Sequence, residues 1–211
     1  MRIRDFMSTN VVTVDEKTLV GDARKIMEAH KIRKLPVMEK DKLVGLVTKH
    51  MLLEAAPSPA TSLSIHEVHY LLAKMTVKDI MVKNPYTISP DMPVEEALQL
   101  GQEKGYGGFL VVEDGRLVGI ITESDIVRVM TRVLGVKEKG KRIDIKVPKK
   151  FGNMQKIMKI LDEHKTVLLS TMTLKEPEEK DSLAVLRVKS EDAEPIAKEL
   201  KSAGFNVTYV G

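Results

Sequence analysis

The sequence predicts a mixed α/β protein in which two copies of a β-α-β-β-α unit are followed by one β-α-β-β-α-β unit. Three observations lead to this prediction: an internal repeat, alternation of strand and helix periodicity within each copy, and a change of pattern after Gly140. The chain has 211 residues, of which 43% are hydrophobic, so it is long enough for one large domain or two small ones.

The internal repeat has a constant offset of 74 residues. Without any gap, it relates Asp5 to Asp79, Gly45 to Gly119 and Thr48 to Thr122. An ungapped repeat over roughly fifty residues rarely arises by chance, so we expect both copies to share one fold.

The elements follow the same order in each copy. A short strand is predicted at 11–14 and 86–88, and a helix at 20–29 and 94–103. Two strands joined by a tight polar turn and a second helix complete each copy. The first helices carry their apolar residues on one face, which indicates a core face and not a cofactor site.

The segment between the copies, 55–64, is rich in turn-forming residues, and Ser64 with Glu67 predicts a capping box that begins a helix. His66 and His69 lie three residues apart on that helix. Because no third ligand is nearby, we interpret them as surface or packing residues and predict no metal site.

A different pattern follows Gly140. Strict alternation over 142–147 predicts a strand with one solvent-exposed face, and Asn153 is expected to cap the helix after it. Ser190 is expected to cap a second helix, which Gly204 ends. Further strands are predicted at 167–174, 183–188 and 205–210. This order of elements is that of a ferredoxin-like unit.

The predicted boundaries follow from these patterns. The paired copies cover 1–135, with the first copy at about 1–56, a linker at 57–73 and the second copy at about 74–135; a short linker at 136–141 leads to the last domain at 142–211.

Composition excludes several classes of function. The absence of cysteine excludes disulfides, thiolate catalysis and cysteine metal sites. The net charge of +4 is modest, and we interpret the basic cluster at 136–142 as a solvated linker and not a nucleic-acid arm. With only four tyrosines and four phenylalanines and no tryptophan, the sequence also argues against a stacking platform for single-stranded nucleic acid.

The apolar runs are short, and the first residues lack the apolar core of a signal peptide, so we expect a cytoplasmic protein without membrane insertion. No nucleophile elbow, metal signature, phosphate-binding loop or dinucleotide motif is found. The sequence therefore predicts no catalytic residue.

The candidate site is the stretch 119–125, where a predicted strand gives way to a helix. Unpaired backbone N–H groups at a helix start attract anions, the Thr122 hydroxyl adds a hydrogen bond, and the Asp125 carboxylate accepts two from a ribose diol. The alternative is that Ser124 or Asp125 only caps the helix.

The repeated unit resembles the CBS domain through Gly45 with Thr48, Gly119 with Thr122 and Asp125, and the segment 31–37. The two copies are similar to a CBS pair, or Bateman module. The C-terminal unit resembles an ACT domain through its element order and Gly152. The whole combination is similar to the acetoin-utilisation protein B family, a resemblance that implies a regulatory protein.

The resemblance to a CBS pair implies two clefts between the copies that bind adenosine nucleotides. In the first cleft, Asp125 would accept from the ribose hydroxyls, Thr122 would bind a phosphate oxygen, and Arg33 and Lys34 would offset phosphate charge. Val12 and Ile32 would flank the adenine. The predicted set is Met7, Asn10, Val12, Ile32, Arg33, Lys34, Thr122 and Asp125.

The opposite cleft departs from the family pattern. Met51 stands where Asp125 has its equivalent, and Gly107 and Gly108 stand where the first copy has Arg33 and Lys34. We therefore expect this second site to be weak, empty or altered in specificity. Its predicted set is Thr48, Met81, Tyr86, Tyr106, Gly107 and Gly108.

The resemblance to an ACT domain implies an amino-acid ligand at a dimer interface. The ligand would lie near the loop formed by Lys150, Phe151, Gly152 and Asn153. Many ACT domains carry an acidic residue where this chain has Lys149, so a purely dimerising role is at least as well supported. CBS pairs commonly associate, and edge strands of small sheets invite pairing, which makes a homodimer the expectation.

Two functions remain open. In the first, the chain is a non-catalytic sensor whose adenosine ligand, AMP, ADP, ATP or S-adenosylmethionine, signals through the ACT-like domain to a protein target. In the second, it is a constitutive dimeric adaptor with a vestigial cleft.

Overall fold

The structure, a computed structural model, describes residues 1–55, 74–175 and 180–211. The predicted capping box of Ser64 and Glu67 and the histidines His66 and His69 lie outside these residues. The chain divides into two compact units, Met1–Ile126 and Val127–Gly211.

The first unit contains both copies of the repeat. The first copy consists of a 3-10 turn (Ile3–Asp5), β1 (Val14–Asp15), α1 (Val20–Ala29), β2 (Lys34–Glu39), β3 (Lys42–Thr48) and α2 (Lys49–Glu54). The second consists of α3 (Val77–Ile80), β4 (Val82–Lys83), β5 (Thr87–Ile88), α4 (Val94–Lys104), β6 (Gly108–Glu113), β7 (Arg116–Thr122) and α5 (Glu123–Val133). Helix α5 continues past Ile126, the last residue of the first unit.

The helix predicted at 20–29 is confirmed, and the one predicted at 94–103 extends one residue further. The predicted first strands are shorter than expected. Only Val14 and Asp15 pair with β2, and the Val11 N–H before them bonds to the Thr9 carbonyl at 3.0 Å in a tight turn. No helix among the described residues is long and apolar enough to cross a membrane.

Each copy forms its own sheet with the same register. In the first copy β1 runs parallel to β2, which pairs antiparallel with β3, and Lys34 faces Thr48. In the second copy β5, β6 and β7 repeat this arrangement, and Gly108 faces Thr122. The sequence repeat is therefore a structural repeat.

The two copies also exchange strands. β4 belongs to the second copy in sequence, yet it pairs with β3 of the first. In return, Ser8 of the first copy forms a bridge with Ile120 of β7, through two backbone hydrogen bonds of 2.9 and 3.0 Å. The exchange holds the copies side by side, because each one completes the sheet of the other.

The second unit contains a four-stranded sheet with two helices. Its elements are β8 (Lys141–Pro148), α6 (Asn153–Glu163), β9 (Leu168–Leu174), β10 (Asp181–Val188), α7 (Glu194–Ser202) and β11 (Asn206–Val210). The sheet order is β11-β8-β10-β9, and every neighbouring pair is antiparallel. Ile143, Ile145 and Leu186 of the sheet pack against Ile157 and Leu200 of the helices to form the core. The β-α-β-β-α-β order is the one that the sequence predicts.

Both predicted helix caps in this unit are wrong. The Asn153 side chain donates to the Pro148 carbonyl at 2.9 Å, and Gly152 takes the N-cap position without a side-chain hydrogen bond. The Ser190 hydroxyl donates to the Asp192 carbonyl at 2.6 Å, and α7 begins only at Glu194. In each case a nearby backbone acceptor takes the side chain that the sequence assigned to the helix start.

Candidate functional site: the junction of the two copies

Thr122 and Asp125 form a hydrogen-bonded pair where β7 ends and α5 begins. The Asp125 carboxylate oxygen Oδ2 accepts from the Thr122 backbone N–H at 2.9 Å and from its hydroxyl at 2.6 Å. Asp125 thus satisfies an orphan donor at the start of α5, as a capping residue does. An ionised carboxylate has about four lone-pair positions on two oxygens, and Thr122 donates two hydrogen bonds to one of these oxygens.

Gly119 of the predicted motif permits a close approach by the first copy. A Cβ atom at this position would lie 2.5 Å from the Met7 sulfur and 3.2 Å from the Ser8 carbonyl oxygen. Only glycine accommodates the exchanged segment at this distance. The motif glycine therefore fixes Met7, one of the predicted site residues, against the strand that leads to Thr122.

Lys34 extends from the first copy to the second. Its ammonium nitrogen lies 3.4 Å and 3.3 Å from the positions that Cβ atoms would take at Gly107 and Gly108. Because Gly108 faces Thr122 across the sheet, the ammonium lies beside the strand end that holds the Thr122–Asp125 pair. Burial lowers the pKa of Lys34 below its ordinary value, and the charge of Glu123 acts in the opposite direction.

The other predicted residues of the first cleft have different surroundings. Val12 and Ile32 are half-buried and pack against the core of the first copy, whereas Asn10 is exposed. Arg33 lines a hollow of about 290 Å³ between α1 and α2 of its own copy, and Ile32 contributes to the same hollow. The structure therefore brings Met7 and Lys34 towards Thr122 and Asp125, and it places Arg33 against the helices of the first copy.

In the second cleft a thioether replaces the carboxylate. The Met51 sulfur lies 3.4 Å from the Thr48 backbone nitrogen, and the Met51 N–H donates to the Thr48 hydroxyl at 3.3 Å. Met81 packs on Gly45 just as Met7 packs on Gly119. The backbone of the site is thus repeated, but its charged acceptor is missing.

Aromatic rings distinguish the second cleft. The ring centroids of Tyr86, Tyr106 and Phe109 lie 5.9 to 6.2 Å apart, and the two tyrosines are 49% and 45% exposed. Sequence reasoning missed Phe109, although its position one residue after Gly108 offered a signal. The cluster adjoins a cavity of about 280 Å³ that Gly107 and Gly108 also line.

In the C-terminal unit, the predicted ligand loop is a tight connection between β8 and α6. The Lys150 N–H donates to the Pro148 carbonyl at 2.7 Å, Gly152 adopts a φ of 87°, and Phe151 is fully exposed. Within 1–55, 74–175 and 180–211, no group of three or more His, Asp or Glu side chains is arranged to hold a metal ion.

Comparison with protein families gives one match, and it reproduces the repeat. Residues 3–58 and 77–132 each match the CBS domain, and together these stretches make up more than half of the chain.

Two curated relatives match the same part of the chain. A CBS domain-containing protein of Dictyostelium discoideum is 33% identical over 134 residues, which are 63% of this chain and 92% of that protein. Inosine-5'-monophosphate dehydrogenase of Korarchaeum cryptofilum is 32% identical over 126 residues, which are 59% of this chain. The match spans only 23% of that enzyme's own length.

Three solved structures share the fold. The CBS domain pair of the protein MJ0100, in complex with 5'-methylthioadenosine and S-adenosyl-L-methionine, has a TM-score of 0.52 and 28% identity, covering 65% of this chain and 98% of that one. CBSX2 from Arabidopsis thaliana, in complex with AMP, has a TM-score of 0.52 and 29% identity, with coverages of 65% and 98%. A Vibrio cholerae protein described as an acetoin utilization protein (AcuB) has a TM-score of 0.55 and 27% identity, with coverages of 66% and 96%.

Proposed function

The chain belongs to the CBS domain family, and from this membership we propose that it is a non-catalytic regulatory protein that binds an adenosine ligand between its two CBS copies. One observation carries the proposal: the Thr122–Asp125 pair begins α5, and Lys34 of the other copy extends to the same strand end. The adenosine ligands named for two similar CBS structures support it.

The ligand is AMP, ADP, ATP or S-adenosylmethionine. The Asp125 carboxylate accepts hydrogen bonds from the ribose hydroxyls, and the Thr122 hydroxyl turns from Asp125 to a phosphate oxygen. The half-buried side chains of Val12 and Ile32 flank the adenine, with Met7 and Asn10 at the rim. Lys34 supplies positive charge beside the Thr122–Asp125 pair, whereas Arg33, the other basic residue predicted for this cleft, lines the hollow between α1 and α2.

Calorimetry with these four ligands tests the proposal, and Asp125→Ala is the informative variant. Loss of a charge-assisted hydrogen bond costs about 1.5–3 kcal/mol, so Asp125→Ala is expected to weaken binding by ten- to over a hundredfold and to remove most of the ligand-induced rise in melting temperature. Met51→Ala, at the equivalent position of the first copy, is the matched control and should retain the rise. A melting shift that survives Asp125→Ala unchanged contradicts the site.

We expect one strong site per chain. The second cleft repeats the backbone but offers a thioether in place of a carboxylate, and Lys34 lies over Gly107 and Gly108. Tyr86 and Tyr106 give it aromatic faces, which favours a ligand of altered specificity over an equal second nucleotide. A stoichiometry near one in the calorimetry supports this asymmetry.

For the second unit we propose an ACT-like role in dimerisation and signalling. Its β-α-β-β-α-β order and antiparallel sheet support the assignment, and edge strands β9 and β11 offer backbone groups for pairing with a second copy. The loop of Lys150, Phe151, Gly152 and Asn153, in which Lys150 and Phe151 are exposed and Asn153 is buried, is the place for an amino-acid ligand. The likeness to the Vibrio cholerae protein supports a role in acetoin- or acetate-type carbon metabolism, with a protein target that receives the signal.

The alternative function is a constitutive dimeric adaptor with a vestigial cleft. It is favoured by the observation that Asp125 Oδ2 is already satisfied by two donors from Thr122 in the ligand-free structure. The adaptor binds none of the four ligands, so the same calorimetry separates the two functions.

A further inference from the structure

A basic hollow lies within the first copy, away from the second. It has a volume of about 290 Å³ and is formed by α1, the turn after it and α2. Its floor is apolar, because Met27 and Leu52 are only 2% and 6% exposed there. All its described lining residues belong to the first copy, so it is distinct from the Thr122–Asp125 pair.

Four cationic side chains surround this basic hollow: Arg24, Lys31, Arg33 and Lys49. Arg24 is neutralised by Glu28 of the same helix at 3.0 Å. Among the residues that the structure describes, Lys31, Arg33 and Lys49 form no ion pair. Three positive charges therefore lie around one concave surface, and no described ion pair neutralises them.

The second copy provides an internal comparison. The equivalent hollow of that copy has nearly the same volume, about 280 Å³, and eight of its lining residues are equivalents, at an offset of 74, of residues that line the basic hollow. The four cations are replaced there by Leu98, Gly105, Gly107 and Glu123. Because the same backbone forms both hollows, the fold itself does not require the positive charges.

Lys31 occupies a backbone position that suits glycine. This residue adopts a φ of 53°, in the left-handed region that favours glycine, and its equivalent is Gly105 with a φ of 69°. At this φ the backbone of a lysine is more strained than that of the glycine in the second copy.

We propose that the basic hollow binds a compact polyanion of the diphosphate class, independently of the adenosine site. The volume is close to the lower limit of small-molecule pockets, about 300 Å³, which suits a small ligand. The guanidinium fork of Arg33 matches two phosphate oxygens, and Lys31 and Lys49 add point charges on either side. The ligand excludes water from the apolar floor and gives the unpaired cations their partners.

The test is a calorimetric titration of the full-length protein with inorganic pyrophosphate, at constant ionic strength. Two variants convert the hollow towards its counterpart: Lys31→Gly and Lys49→Glu. Each is expected to weaken pyrophosphate binding about tenfold or more, through the loss of a charge-assisted contact. Lys31→Gly should do so while the melting temperature without ligand stays equal or rises, because glycine accepts the positive φ.

Two controls separate this site from general charge and from the adenosine site. Lys17→Glu removes an exposed cation outside the hollow and should leave pyrophosphate affinity within about twofold, since distant exposed charges are largely screened. Asp125→Ala should weaken AMP binding by ten- to over a hundredfold and leave pyrophosphate binding intact.

Three outcomes would overturn the proposal: no pyrophosphate binding by the wild type, equal weakening by Lys17→Glu, or full affinity in both Lys31→Gly and Lys49→Glu. Competition between AMP and pyrophosphate that disappears in Asp125→Ala would also overturn it, because it would place the anion in the adenosine cleft. Failure of AMP to bind, with pyrophosphate binding retained, would instead refute only the proposed function.

Discussion

Single residues decide the asymmetry of the first unit, and Lys34 is the one with a distinctive acid–base property. The ammonium group of Lys34 extends from the first copy to Gly107 and Gly108 of the second. Burial there lowers the pKa of Lys34. The charge that Lys34 brings to the Thr122–Asp125 pair is therefore lost at a lower pH than that of an ordinary lysine. Its titration therefore couples the charge of the cleft to pH.

This coupling predicts a pH dependence of phosphate binding. As pH rises, Lys34 loses its proton before an ordinary lysine does, so AMP affinity should begin to fall in the alkaline range below about pH 10.4. Over the same range the fold becomes more stable, because the unfolded lysine binds more protons than the folded one. Lys34→Arg should keep AMP affinity level with pH, since a guanidinium stays charged.

Calorimetry of AMP and of adenosine at several pH values measures the effect. Adenosine has no phosphate, so its affinity serves as the control and should hardly change with pH. A parallel fall for both ligands would show that another group titrates.

The same residue scale shows where sequence reasoning was limited. Capping by Asp125 was one of the alternatives that the sequence offered for this helix start, and the substitution by Met51 follows directly from the repeat, because the copies align without gaps. The different surroundings of the Arg33 and Lys34 side chains do not follow from the repeat, because they depend on the residue at which β2 begins. Adjacent side chains point to opposite sides at a strand start, and this alternation was a signal that could have divided the basic pair.

At the scale of elements, amphipathic helices were predictable and short strands were not. The periodicity of the apolar residues in α1 predicts the residues at which this helix begins and ends. The two-residue strands β1 and β5 depend on parallel pairing with β2 and β6, which lie far away in sequence, so local alternation overstated their length. The strand exchange by Ser8 and β4 has no local signal at all, although the glycines that permit it repeat at Gly45 and Gly119.

The exchange makes Gly119→Ala an informative substitution. The added methyl group would meet the Met7 sulfur at 2.5 Å and the Ser8 carbonyl at 3.2 Å, so the exchanged segment must move. Overpacking of this kind typically costs about 1–3 kcal/mol of unfolding free energy. Because Met7 lies on that segment, the variant should also weaken AMP binding.

Urea denaturation measures the stability change, and Gly21→Ala is the matched control. A Cβ atom at Gly21 meets nothing within 4 Å, and this residue lies inside α1, so alanine should stabilise the protein by about 0.5–1 kcal/mol. Adding Met7→Ala to Gly119→Ala should recover part of the lost stability. Equal stability of the Gly119→Ala variant and the wild type would show that the segment is not held by this contact.

At the scale of the whole molecule, the proposed sensor requires the adenosine ligand to change the second unit as well as the first. Binding shifts a conformational equilibrium only if the ligand prefers one state. Hydrogen exchange on the full chain, with and without saturating AMP, distinguishes binding from signalling. Protection of the amides around Thr122 and Asp125 reports binding, and altered exchange in β8 to β11 reports signalling.

We expect both changes in the wild type and smaller ones in Asp125→Ala, because the variant binds the ligand ten- to over a hundredfold more weakly. At a ligand concentration of about 100 times the dissociation constant, binding stabilises the ligand-bound fold by about 2.7 kcal/mol, which is ample for slowed exchange in the first unit. Protection confined to the first unit would refute signalling through the ACT-like unit and leave nucleotide binding in place. Unchanged exchange throughout would favour the constitutive adaptor, whose cleft serves no ligand.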